Sequence, residues 1–204
     1  MARTGKPSAG LHFTHAIRAV CEDMTRRVEL LSHIDMSRVA VGFCQARKRV
    51  PHGLQASLTP LRFENGARDS LVRGRRYTCQ SIFDPSGREY LYLLNFYLPR
   101  FLDHSLGEKL TTIVHELWHI SEKFDGDLRR HEGRCYVHGP SQREFDRTAS
   151  RLAGEWLASE PPTELYAFLR YNFRDLVKHF GQVYGERYPV PKLVAARGPT
   201  KEAC

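Results

Sequence analysis

Two histidines and a glutamate stand where chemistry could be done. The segment His115-Glu116-Leu117-Trp118-His119 has the pattern H-E-x-x-H. On a helix, residues four apart share one face with β-carbons roughly 5–6 Å apart, so His115 and His119 can hold a single divalent ion. Glu116 follows the first of them and reaches toward the open coordination position, where water would sit. There it can act as general base, taking the proton as that water attacks a carbonyl polarised by the metal. Peptide-bond hydrolysis with zinc is the reaction this set serves best. With ten histidines in 204 residues, the pattern also fits a chance match on an ordinary amphipathic helix. The flanks favour the metal. Leu110, Ile113, Val114, Leu117, Trp118 and Ile120 form an apolar stripe, and one ion gives both buried imidazoles a partner.

A catalytic zinc takes three protein ligands, so another must follow elsewhere in the chain. A metzincin would carry glycine at position 122 and histidine at position 125, where this chain has Glu122 and Asp125, and that class is excluded. Asp125 reads as a helix-ending residue beside Gly126. Glu144 reads as the partner of Ser141 in a capping box. Two histidines remain. His138, just ahead of Gly139-Pro140 and the next helix, is the preferred third ligand because a ligand needs supported backbone. His131, in the basic turn Arg129-Arg130-His131, is the alternative. Tyr136 and Arg134 can donate to the oxyanion formed on a substrate, although packing and solvation are their ordinary roles.

These residues need a scaffold, and hydrophobic periodicity outlines one. Apolar residues from Phe13 to Leu31 recur every three or four places, predicting a helix over 11–34. Arg38 to Gln45 alternates like a strand, and Leu54 to Phe63 and Tyr77 to Phe83 can also be strands. Asp84-Pro85-Ser86-Gly87 is a turn signal that makes 77–83 and 88–97 a hairpin. Arg88 to Tyr97 is then the strand that leads into the motif helix, either as the rim of a cleft where a peptide adds on or, as its run of apolar residues suggests, as a core strand. The motif helix should run to about Lys123-Phe124-Asp125-Gly126-Asp127. Leu128 to Gly139 reads as irregular or hairpin-like. A second helix starts at Ser141 and runs to about Ser159, and a third covers 164–184, before prolines hold 187–194 extended. The order predicts an α+β fold, a small mostly antiparallel sheet packed on helices. One domain over 11–194 is expected, between a disordered basic tail at 1–10 and a loose tail at 195–204.

Composition narrows the class. Residues 1–10 lack the apolar segment of a secretory signal, and no run of 18 apolar residues occurs, which points to a cytoplasmic chain without membrane contact. The five cysteines form no C-x-x-C pair and read as free thiols. The net charge is +8, with clusters at Arg47-Lys48-Arg49 and Arg73-Gly74-Arg75-Arg76. A nucleic-acid surface and a merely solvated basic face are both consistent with them. A basic nucleic-acid- or partner-binding module with a structural or inactive zinc site is therefore the alternative to a peptidase.

The block YLLNFYLPRF, followed by TTIVHELWHISEKFDGDLRRHEGR, resembles the phage-type metallopeptidase family, minimal zincins distantly similar to SprT-like and Spartan proteases. The resemblance spans roughly residues 35–160 and is most specific at HELWHI and the following DG-x-LRRH. It implies a zincin-like fold, zinc as cofactor and a protein or peptide substrate, with His115 and His119 as ligands and Glu116 as base. For the third ligand it points both ways. SprT-like proteins place a His-Gly pair at the start of the next helix, as His138-Gly139, and shorter phage-type members use the histidine of an LR-x-H segment, as His131. For the SprT-like relatives it also implies protein substrates bound to DNA.

Overall fold

A computed structural model describes residues 10–46, 53–130 and 141–195 and shows an α+β architecture. The chain opens with a two-residue strand, β1 (Leu11–His12), and helix α1 (Phe13–Arg27). Phe13, Ile17, Val20, Cys21 and Met24 are buried at the expected spacing. The helix ends earlier than its periodicity suggests. Val28 turns extended, and a 3-10 turn at Glu29–Leu31 delivers Leu31 to the same core.

β2 (Val39–Gln45) and β3 (Ala56–Pro60) follow, then a hairpin of β4 (Asp69–Val72) and β5 (Arg75–Cys79), then β6 (Tyr92–Leu98). β6 is central in a three-stranded sheet ordered β2-β6-β3, parallel to β2 and antiparallel to β3. Its alternation serves two faces. Tyr92, Leu94, Phe96 and Leu98 enter the main core, while Leu93 packs with Ala40, Leu61 and Tyr90 on the other side. A strand covered on both faces needs a continuous apolar run, which accounts for YLLNFYL.

Of the two readings of 88–97, the core strand holds, over Tyr92–Leu98. The expected hairpin with 77–83 is corrected to a single bridge, Phe83 with Glu89. The turn itself forms, with Asp84 Oδ1 accepting from the N–H groups of Ser86 and Arg88 at 2.8 Å each. Both hydrogen-bonding edges of β6 are already occupied by β2 and β3, so β5 pairs instead with β4 and with β8 (Leu193–Ala195) in a second sheet.

Helix α2 (Leu106–Trp118) begins at a reciprocal capping box between Ser105 and Glu108. It packs against α3 (Gln142–Ala158), whose buried stripe is Phe145, Ala149, Leu152, Ala153 and Trp156. The third expected helix is broken into α4 (Thr163–Tyr166), a 3-10 turn at Ala167–Arg170, and α5 (Phe173–Phe180). The buried Lys109 ammonium on α2 explains the break. It donates to the carbonyls of Leu169 (2.9 Å) and Tyr171 (2.8 Å), which therefore serve as its acceptors, and Asn172 caps a fresh start. Gly181, at φ 81°, ends α5, and β7 (Val183–Tyr184) returns to pair with β1 in parallel. Among the described residues no helix is long and apolar enough to cross a membrane.

Candidate metal centre

The motif lies at the end of α2. His115 and Glu116 occupy its last turn, and His119 is the C-cap. The helix stops at the second histidine, several residues short of the expected Asp125-Gly126 stop, because Arg129 comes back over its end. The Arg129 N–H donates to the His119 carbonyl at 2.7 Å, and its Nε donates to the Trp118 carbonyl at 2.9 Å. The guanidinium lies 3.8 Å from the centre of the Trp118 ring and pairs with Glu122. Carbonyls that a longer helix would have used are satisfied by one side chain and its own backbone.

Held this way, the imidazoles converge. The His115 and His119 Nε2 atoms are 3.1 Å apart, with ring planes crossing at 79°. Two ligands each about 2.0–2.1 Å from a tetrahedral zinc are separated by roughly 3.3 Å. The pair thus has close to the spacing of two ligands on one ion, and two imidazole donors suit zinc. An N–H···N hydrogen bond between neutral rings has the same spacing. The opposite nitrogen of His115, Nδ1, lies 3.1 Å from an Asp146 carboxylate oxygen on α3. That contact orients the ring and leaves Nε2 facing its neighbour, as carboxylate partners of metal-bound histidines do. Phe145, one residue earlier, stacks on His119 with centroids 4.6 Å apart and meets His115 edge-on at 4.8 Å, forming the apolar wall of the pair.

Glu116 is buried, 9% exposed, and faces β3. Burial pushes its carboxyl up to about 7, and a hydrogen bond from the Leu58 N–H pulls in the other direction. The register explains why that N–H is available. Tyr97 N–H donates to Gln55 O and Leu61 N–H to Leu91 O, so odd-numbered positions of this strand point at β6 and even-numbered ones, including Leu58, point outward. Pro60, with no N–H, is also outward, as an edge strand permits. β3 is thus the edge strand beside Glu116.

Of the other residues singled out by sequence, His131, His138, Arg134 and Tyr136 lie outside the described residues, as does the Arg47-Lys48-Arg49 cluster. Asp125 does not end the helix, which stops at Trp118, and its carboxylate accepts from the Asp127 N–H at 3.2 Å in the turn that follows. Glu144 is exposed at the start of α3, where its N–H donates to Ser141 Oγ at 3.4 Å. Sequence reasoning missed Asp146, Phe145, Arg129 and Leu58. Only Arg129 carried a signal, as part of the DG-x-LRRH run. The others reach the site through packing of α3 and β3, which no local pattern marks.

Searches against protein-family models, curated proteins and solved structures return no match.

Proposed function

We propose that the protein is a zinc-dependent peptidase of zincin-like type, with His115 and His119 as two of the metal ligands and Glu116 as general base. The observation that carries this reading is the 3.1 Å convergence of the two Nε2 atoms, with the buried Glu116 carboxylate following His115 on the same helical turn. A zinc ion held there would supply a water of near-neutral pKa and polarise the scissile carbonyl. The chain's own groups do the rest. Asp146 holds the His115 tautomer, Phe145 and the core wall exclude bulk water from one side, and Arg129 fixes the turn that carries His119. Glu116 is the proposed base, and in the metal-free chain burial raises its carboxyl above the ordinary carboxylate range, so that it takes up a proton readily. β3, with its outward edge beside Glu116, is the strand along which an extended substrate would lie. His138 or His131 completes the ligand set.

The test is Glu116→Gln with zinc content measured in parallel. Loss of peptide hydrolysis at unchanged zinc stoichiometry supports the base role, whereas unchanged hydrolysis would refute it. Zinc analysis of His131→Ala beside His138→Ala assigns the third ligand.

A second reading, a basic nucleic-acid- or partner-binding module, is favoured by one observation. Arg73, Arg75 and Arg76 are exposed on the β4–β5 hairpin with exposed Leu71 and Leu193 beside them. DNA affinity falling steeply with added salt would support it, and no binding at low salt would remove it.

A further inference from the structure

A second cluster of metal-ligating side chains lies away from α2, where the two ends of the described fold meet. His12 caps α1, His15 sits one turn on, and Glu186 follows β7. Tertiary packing joins them. Leu11 and His12 pair with Val183 and Tyr184, and the buried Thr14 hydroxyl accepts from the Glu186 N–H at 3.0 Å. Gly185 is required there, since a β-carbon would come within 2.7 Å of Thr14 Oγ1. One ligand atom from each of His12, His15 and Glu186 falls within 4.8 Å of the others.

We propose that His12, His15 and Glu186 bind a second divalent transition-metal ion, of the zinc type, which clasps the start of α1 to the strand β7 and its continuation. The His15 Nε2 to Glu186 Oε1 distance is 3.5 Å, long for a hydrogen bond and close to the roughly 3.3 Å between two ligands of one tetrahedral ion. The His12 and His15 rings are stacked, with centroids 3.6 Å apart and planes 11° apart. Parallel rings cannot both point at one ion, so His15, whose side chain is 64% exposed, must swivel toward His12 and Glu186. His12 is held by its Nδ1, 3.3 Å from both Thr14 Oγ1 and the His15 N–H. Metal binding selects the tautomer in which Nδ1–H donates to Thr14 and Nε2 is the ligand, at the cost of the weak cap to His15. The positive end of the α1 dipole opposes a cation here, and the Glu186 carboxylate offsets it. Two imidazoles and one carboxylate on a partly exposed surface leave the remaining coordination to water. The competing account is a solvent-exposed ion pair between His15 and Glu186.

The test uses the full chain carrying His115→Ala and His119→Ala, stripped with chelator and titrated with zinc alone by calorimetry at pH 7.5. One equivalent should bind, and adding His15→Ala or Glu186→Gln should weaken it at least tenfold and abolish the zinc-induced rise in melting temperature. No uptake at millimolar zinc, or uptake indifferent to both substitutions, overturns the proposal and leaves an ion pair only. Should the double variant lose its circular-dichroism spectrum, the wild-type chain serves instead, observed by histidine-ring NMR. Zinc-dependent shifts of His12 and His15 that vanish in Glu186→Gln support the site, and their absence refutes it. Because His115 and His119 are read separately, failure here is distinguishable from failure of the peptidase reading.

Discussion

Replacing Glu116 by glutamine should make the metal-free protein more stable at neutral and alkaline pH, even as it removes the proposed base. The carboxyl is buried against β3 with its titration pushed from 4.5 up to about 7, so the folded chain holds this proton more tightly than the unfolded chain does. For an acid raised in this way, the stabilising effect of the protonated form is complete below about 4.5. It is lost progressively as pH rises toward 7, because in that window folding takes up a proton. At 1.36 kcal/mol per pKa unit, the loss amounts to about 3 kcal/mol once pH exceeds 8. Glutamine keeps an oxygen for the Leu58 N–H and never ionises, so it escapes the loss. The assay is urea unfolding of chelator-treated wild type and Glu116→Gln at pH 5 and pH 8. Contributions common to both proteins, including those of His115 and His119, cancel in the difference. The variant should gain about 1–3 kcal/mol relative to wild type between the two pH values. Saturating zinc should shrink that gain, since a cation at the histidines favours the carboxylate. A difference that stays constant from pH 5 to pH 8 would refute the burial argument.

Other residues carry predictions of their own. Asp146→Asn should weaken zinc binding by about tenfold, the lower end for an orienting carboxylate because this one is half exposed, as read by competition with a chromophoric chelator; an affinity within twofold of wild type would remove Asp146 from the site. Lys109→Met should cost about 1–3 kcal/mol in urea unfolding by leaving the Leu169 and Tyr171 carbonyls without their donor. Burial lowers the Lys109 ammonium to about 8, so the unfolded chain binds the extra proton between pH 8 and 10.5, and wild type should gain stability relative to Lys109→Met as pH rises through that window. Arg129→Ala should lower the melting temperature and, by loosening the turn after His119, weaken zinc as well; Arg129→Lys should restore little, since an ammonium neither stacks flat on Trp118 nor reaches its carbonyl in the same way.

The sequence alone determined what local chemistry can specify. The spacing of His115, Glu116 and His119 placed the two histidines on one face of a helix, and the periodicity of α1, the alternation at Val39–Gln45 and the start of α3 at Ser141 were legible because each follows from contacts within a few residues. The mixed α+β class followed from the same elements. Tertiary structure decided everything that depends on distant partners. The apolar run at Tyr92–Leu98 suggests a core strand, and only the pairing with β2 and β3, which fills both its edges, removes the rim reading. A helix expected from Glu164 to Tyr184 breaks because Lys109, sixty residues earlier, takes its carbonyls. Asp146 and Leu58 carry no signature in their own neighbourhoods. They become part of the site only when α3 and β3 pack beside α2, since side-chain direction across an interface is set by the register of whole elements and not by the residues that flank each position.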